Sequence, residues 1–499
     1  MIRCLKYPDT SSKTKKTIAL SFGNLTNTCL NAFLQMLLVR FLSQEELAIY
    51  LQSVVVYTTL FPFLQAGVDS GIYYLLVRSR GNDKGIITEG VFVTFLISCV
   101  VSCVLLFYGN EVIAKWFNNP QIIVSLYYLL PYLCVTVPES IVQVCFVFYN
   151  RINFMAYYNI AKTFIVACVL VFTAINTVHG YVLFAVRSIA SSAFGLLTVF
   201  LVYRFILIDK SYKIHKKGFY NILSFSVPLS LSVIAGVLST NLDKWLVSSM
   251  LTPREFAIYQ MGAYELPFIG MITGAISMVM VVDINKAAEK HNFDNVIRIF
   301  REIAEKTSFI LLPIMCFFLC ASQNFILFMF TDKYIESVYI FCIYLLYIPI
   351  RCVIYAPVFV ALGKAKFMVY REVASLLLNL CVSVYAIQLY GAIGAALATI
   401  IVTYIFSVPC NLYYLSKWSG IKAYRVLPFL HMIKCLIISI PGGCMSKICD
   451  NIVFVDQSYF VRFFCMFVIY VSITLSLYSV FYKERLFVVF SFFKGRARR

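Results

Sequence analysis

Leu42-Ser43-Gln44-Glu45-Glu46-Leu47-Ala48-Ile49-Tyr50 returns as Leu251-Thr252-Pro253-Arg254-Glu255-Phe256-Ala257-Ile258-Tyr259, with Ala48 answering Ala257 at an offset of 209. Farther on, Phe154-Met155-Ala156-Tyr157 answers Phe367-Met368-Val369-Tyr370 at an offset of 213, and Gly180 answers Gly391 at 211. A single match of this length is weak. Three in the same order, with offsets agreeing within four residues, read as an internal repeat of the kind found in folds built from duplicated halves.

The sequence around these matches is almost wholly apolar. Of 499 residues, 61% are hydrophobic and 13% charged, against roughly 45–50% and 25% in a soluble domain, which excludes a water-soluble globule. A bilayer crossing needs about 20 apolar residues. Such runs lie near 17–39, 47–76, 87–108, 120–148, 156–176, 180–203, 220–248, 255–283, 307–329, 335–361, 366–388, 391–412, 426–446 and 458–481. They are continuous rather than alternating, which favours helices over the strands of an outer-membrane barrel. The expected fold class is an all-α polytopic membrane protein of about 14 transmembrane helices. The repeat offset equals six spans, so two six-helix bundles share one orientation and an additional C-terminal helix pair falls outside the repeat. The expected divisions are a cytoplasmic N-terminus (1–16), an N-terminal bundle (17–205), a cytoplasmic linker (206–219), a C-terminal bundle (220–413), the helix pair (426–482) and a basic cytoplasmic tail (483–499).

The net charge of +19 reflects topology and does not point to nucleic acid. Lys and Arg concentrate at both ends and in the alternate loops near 78–84, 151, 204–217, 286–306, 364–371 and 417–425, while the other side holds only Arg40, Lys115, Arg254, Lys333, Lys447 and Arg462. Cytoplasmic loops carry the excess of Lys and Arg, so both termini are expected in the cytoplasm. The first run, 17–39, exceeds the ~7–15 apolar residues of a signal peptide and is expected to remain as a helix. In the 286–306 loop, Phe293, Val296, Ile297, Phe300, Ile303 and Ala304 recur at helical spacing, which fits either an interfacial amphipathic helix or an extension of the following span.

Most of the 17 Cys lie inside apolar stretches, where Cys packs as a small hydrophobe, and no C-x-x-C or Cys/His metal spacing occurs. The longest extracytoplasmic segments, near 109–119 and 447–457, have about eleven residues, leaving no room for a catalytic domain. Neither a nucleophile constellation nor a phosphate-binding glycine loop is present. The expectation is a non-enzymatic membrane protein with no cofactor, its coupling ion left open as H⁺, Na⁺ or none.

The two six-helix halves, the Leu-Ser-x-x-Glu-x-Ala-x-Tyr turn after the first span and its copy after the seventh, Asp243-Lys244 near the end of the seventh, and Gly391-Ala392-Ile393-Gly394-Ala395-Ala396 opening the twelfth resemble the polysaccharide exporters of the MATE-like superfamily. Those are the Wzx-type flippases of O-antigen and capsule repeat units. The resemblance implies a MATE-like V shape and a bacterial cytoplasmic (inner) membrane location. It further implies alternating-access transfer of a polyprenyl-pyrophosphate-linked oligosaccharide to the outer leaflet, with a polysaccharide polymerase and a chain-length regulator as further partners. Fourteen spans lean toward the lipid-linked branch, as in lipid II flippases. A MATE-type multidrug or cation antiporter is the alternative, and a membrane polysaccharide polymerase a more distant one.

Polar groups inside the spans mark the candidate site. Asn24, Asn27, Asn31 and Gln35 fall on one helical face that lipid cannot satisfy, so it faces either a wet cavity or a neighbouring helix. Ionisable residues cost at least ~2.5–3.5 kcal/mol each within a span. Among them Lys162, Arg187, Lys244 and Arg351 are candidates for binding a pyrophosphate headgroup, and Glu265, Asp69, Glu139 and Asp243 for ion coupling, with internal ion pairing as the competing role. Tyr259, Tyr264 and Tyr344 could stack on sugars, although packing is the commoner role of tyrosine. The terminal pair either grooves the polyprenyl tail or seals one bundle.

Overall fold

The computed structural model describes residues 10–65, 67–78, 83–208, 218–289 and 293–482. Residues 1–9 of the expected N-terminal segment, most of the 206–219 linker and the 483–499 tail lie outside them. Every regular element among the described residues is helical, and packing divides the chain into two units, Met1–Ala257 and Ile258–Arg499.

The first unit contains α1 (Thr10–Phe41), α2 (Gln44–Gln65), α3 (Val68–Arg78), α4 (Asp83–Val104), α5 (Asn110–Trp116), α6 (Ile122–Phe148), α7 (Ile152–Asn176), α8 (Gly180–Phe205) and α9 (Gly218–Met250). Here α6 is central, packed by α2, α4 and α8, while α1 lies along α7. The packing boundary falls one helix later than the repeat boundary, because α9 packs on α2, α3 and α4. Polar ties fasten it there: Gln52 Nε2 donates to Ser248 Oγ at 2.7 Å and Trp245 Nε1 to Thr59 Oγ1 at 2.9 Å.

The repeated turn proves to be a helix start. Glu46 N–H donates to Ser43 Oγ at 3.2 Å at the head of α2. Its copy opens α10 (Pro253–Gly262), where Glu255 N–H donates to Thr252 Oγ1 at 3.3 Å and Thr252 N–H to the Glu255 carboxylate at 2.9 Å. The Thr252–Glu255 copy is a full capping box and the Ser43–Glu46 copy its hydroxyl half, each satisfying orphan amides of the first turn. The Glu46 carboxylate reaches instead to the Gly180 N–H at 2.6 Å. A Cβ at Gly180 would stand 1.9 Å from the Glu46 carbonyl oxygen, so the close approach of α8 to α2 requires glycine.

The second unit continues with α11 (Pro267–Glu289), α12 (Phe293–Phe330), α13 (Ser337–Leu345), α14 (Ile348–Arg351), α15 (Ala356–Ala361), α16 (Ala365–Val402), α17 (Val408–Ser419), α18 (Ala423–Val426), α19 (Phe429–Ile452) and α20 (Tyr459–Phe481). Its hub is α12, which α11, α13, α19 and α20 all contact. This helix begins at Phe293, so the amphipathic stretch is an extension of the span. Val296, Ile297, Phe300 and Ala304 are buried, and Lys306 pairs with Glu302 at 2.9 Å on the exposed side. The terminal pair seals onto α12 through Phe317, Phe325 and Phe328 against Phe463. A two-pronged Arg462–Asp450 pair at 2.8 and 3.0 Å joins α20 to α19.

Ten segments among the described residues are long and apolar enough to cross a membrane. One of them, Lys366–Ser419, has 54 residues and as a straight helix would run about 80 Å, far more than the ~30 Å hydrocarbon core. It turns at Gly391 (φ +57°, ψ −137°), a backbone state that side-chain-bearing residues avoid. Three spans expected to be continuous are broken. The 47–76 run parts between α2 and α3, 255–283 between α10 and α11, and 335–361 into α13, α14 and α15.

Candidate functional site

In the first unit, four helix faces converge on a cavity of about 330 Å³, with Tyr57 and Phe61 contributed by α2. From α6 come Tyr132, Thr136, Glu139 and Gln143, spaced four, three and four apart and so on one face. The α8 face carries Arg187, Ser191 and Thr198, and α7 contributes Tyr158 and Lys162. Glu139 is 2% exposed and fully engaged. Lys162 Nζ donates to both its oxygens at 2.7 and 2.9 Å, and Thr198 Oγ1 and Gln143 Nε2 each donate to Oε1 at 3.1 Å. The structure thus brings Lys162 and Glu139 together as an internal ion pair whose charges cancel.

Arg187 is placed differently. Its Nη1 donates to the Tyr50 hydroxyl at 2.6 Å, the guanidinium lies 5.8 Å from the centre of the same ring, and Tyr132 is its second phenolic partner. No ion pair among the described residues includes it. A half-buried cation held by tyrosine hydroxyls, with no carboxylate beside it among the described residues, can bind an anion through its remaining donors. Tyr132 also stacks on Tyr57 with ring centres 4.3 Å apart, so this cation stands against a preformed aromatic wall. Sequence reasoning missed Tyr50, Tyr57 and Tyr132, because 34 tyrosines leave no single one distinguished. The four-, three-, four-residue spacing of polar side chains on α6 was the available signal.

The remaining candidates of this unit do not join that cluster. On α1, Asn24 and Asn31 are exposed; Asn31 Nδ2 donates to the Asn27 carbonyl at 2.9 Å, and the buried Asn27 Oδ1 has no hydrogen-bond partner. Gln35 is half-buried and engaged. Asp69 stands in the first turn of α3. Asp243 is buried, and Lys244 Nζ reaches Asn241 Oδ1 at 3.5 Å. Beyond the end of α6, Tyr149 donates to Asp83 Oδ2 at 2.6 Å; burial, and then the neighbouring carboxylate, raise this phenol above its ordinary range.

In the second unit, Glu265 lies in the non-helical link between α10 and α11, and Arg351 ends α14. Arg351 Nη2 donates to Glu265 Oε1 at 2.6 Å, and its guanidinium covers the Tyr347 ring at 5.3 Å. A pocket of about 60 Å³ beside them is lined by Tyr264, Tyr344 and Tyr347. Arg371, counted in sequence with the 364–371 loop, forms an ion pair with Glu372. Non-helical backbone at membrane depth is tolerated where it lines a cavity or is buried in protein, which fits the two broken spans meeting here. Tyr259 is buried, its hydroxyl 2.6 Å from that of Tyr344, so it packs. The repeat extends to this pair: Tyr50 and Tyr259 stand 209 apart, and Tyr132 and Tyr344 stand 212 apart.

The all-helical chain, with its multiple segments long enough to cross a membrane and its broken helices, has the class of fold seen in polytopic membrane proteins. The chain is similar to the lipid II flippase MurJ in an inward closed conformation, at 16% identity and a TM-score of 0.73 over 95% of this chain and 100% of that one. It is also similar to an inward-facing multidrug resistance MATE family transporter (12% identity, TM-score 0.60, 79% and 95% covered) and to a eukaryotic MATE transporter (13%, 0.57, 83% and 99%). No curated protein matches in sequence. The family described as polysaccharide biosynthesis protein matches residues 37–339, and the chain belongs to it. It is a multi-span membrane protein whose fold is similar to that of the MurJ and MATE transporters.

Proposed function

We propose that the protein is a flippase that carries a polyprenyl-pyrophosphate-linked oligosaccharide, of the O-antigen or capsule type, from the cytoplasmic to the outer leaflet of a bacterial inner membrane by alternating access. The observation that carries this reading is Arg187, a membrane-embedded guanidinium fixed by Tyr50 and without a carboxylate among the described residues. A diphosphate needs charge-assisted donors as it leaves water, and no carboxylate among the described residues pairs with this cation. Lys244 and Arg351 are further headgroup contacts in this reading, Arg351 by exchanging its carboxylate for phosphate, while Lys162 stays paired with Glu139. The antiporter alternative is weaker, since Glu139 and Glu265, the carboxylates beside the two pockets, are already occupied by Lys162 and Arg351.

Fourteen crossings and cytoplasmic termini belong to this proposal, as does coupling to H⁺ or Na⁺ through Glu265, Asp69, Glu139 or Asp243. A polymerase and a chain-length regulator would receive the product. A headgroup with about two negative charges moving outward gains roughly 2.3 kcal/mol per charge per 100 mV, enough to drive transfer without a coupling ion. The test is transbilayer movement of a fluorescent polyprenyl-diphosphate oligosaccharide in proteoliposomes. Arg187→Ala is expected to slow it at least about tenfold, a loss of about 1.4 kcal/mol or more, and Arg187→Lys to restore it only in part, because the ammonium lacks the planar fork. Unchanged movement in Arg187→Ala would remove the headgroup assignment.

A further inference from the structure

The cavity beside Arg187 has a chemistry of its own. Three of its lining residues, Tyr57, Phe61 and Tyr132, are aromatic, while Ser140, Gln143 and Ser191 bring hydroxyl and amide groups. Its only charged lining residues among the described ones, Glu139 and Lys162, are bound to each other. At about 330 Å³ it lies at the small end of the ~300–1,000 Å³ typical of small-molecule sites, too small for an oligosaccharide and suited to one ring. We infer that this cavity seats the sugar attached directly to the diphosphate, and that it selects an uncharged hexose or N-acetylhexosamine. The inference rests on the flippase reading.

A pyranose offers an apolar face of C–H groups and a rim of hydroxyls, which the stacked Tyr57–Tyr132 wall and the surrounding hydroxyl and amide groups complement. Sugar and phosphate are also placed in the right order. Tyr132 both lines the cavity and partners Arg187, and Ser191 stands one helical turn from Arg187 on α8. A diphosphate held by Arg187 therefore has its own glycosidic oxygen at the mouth of this cavity. A uronic acid would bring a carboxylate against Glu139 and would have to break the Lys162 pair to find a partner, at the cost of leaving a buried charge uncompensated.

The experiment is calorimetric binding to the purified full-length protein of two soluble probes, citronellyl diphosphate and the same compound carrying one N-acetylglucosamine. The sugar is expected to strengthen binding about tenfold. Tyr57→Leu, which keeps apolar volume but removes the aromatic face, and Gln143→Leu, which removes an amide, are each expected to bring the ratio of the two affinities to within about twofold of one. Equal affinities in the wild type would overturn the sugar subsite and leave the flippase reading standing, whereas no binding of either probe would overturn both. A ratio that survives in both variants, or tighter binding of a glucuronic acid probe, also overturns the subsite as stated.

Discussion

Glu139 and Lys162 show what a charge inside a membrane costs when its partner is removed. The carboxylate is nearly inaccessible and accepts four hydrogen bonds. Breaking a buried pair from one side typically costs about 3–5 kcal/mol, while replacing both members by neutral groups of similar volume is often close to neutral. Glu139→Gln is therefore expected to lower the melting temperature of the detergent-purified protein sharply, and the double change Glu139→Gln with Lys162→Met to recover most of the loss. Additive losses would mean that the two residues do not act as a pair. Sequence reading finds each such residue, since an ionisable group in an apolar run announces itself. It does not find who pairs with whom, because Lys162 and Glu139 lie 23 residues apart and Arg351 and Glu265 lie 86 apart, separations that only the packing of helices brings within 3 Å.

Helices are the level at which the sequence is most legible and also where it misleads in a regular way. Continuous apolarity reveals how much chain lies in the membrane but not where the backbone stops being helical. The breaks after Gly262 and before Pro267, and around Cys352–Tyr355, fall inside runs that are apolar on both sides. Gly262 and Pro267 were the local signals for the first of them. The repeated turn was legible as a motif, yet its meaning was not: it caps α2 and α10, and its repeated spacing follows from the reach of the Ser43 and Thr252 hydroxyls to the backbone amide three residues on. Gly180 is the point where this turn meets α8. Gly180→Ala would force a methyl to within 1.9 Å of the Glu46 carbonyl, so the two helices must separate; the variant is expected to melt several degrees lower, as for overpacking worth about 1–3 kcal/mol. The residue at the equivalent place in the repeat, Gly391, meets nothing within 4 Å, and there glycine serves the turn of the backbone itself.

For the whole chain, the asymmetric placement of Lys and Arg is the strongest long-range information the sequence contains, and it predicts the orientation of the protein across the bilayer. Green fluorescent protein fused after Arg499 is expected to fluoresce and alkaline phosphatase at the same place to be inactive, with the reverse outcome for fusions within 447–457. Active phosphatase at Arg499 would mean an odd number of crossings. The duplication visible in the sequence also has an unequal outcome. Both copies keep the tyrosines corresponding to Tyr50 and Tyr132, but Tyr259 and Tyr344 bond to each other directly, whereas Tyr50 and Tyr132 hold a guanidinium between them. The fixed positive charge of Arg187 has a consequence for the resting molecule. Electroneutrality favours a loosely held counter-ion beside it, so chloride or orthophosphate from the surrounding solution becomes the occupant that cargo must evict, and turnover acquires a dependence on the anion of the buffer and not only on its ionic strength.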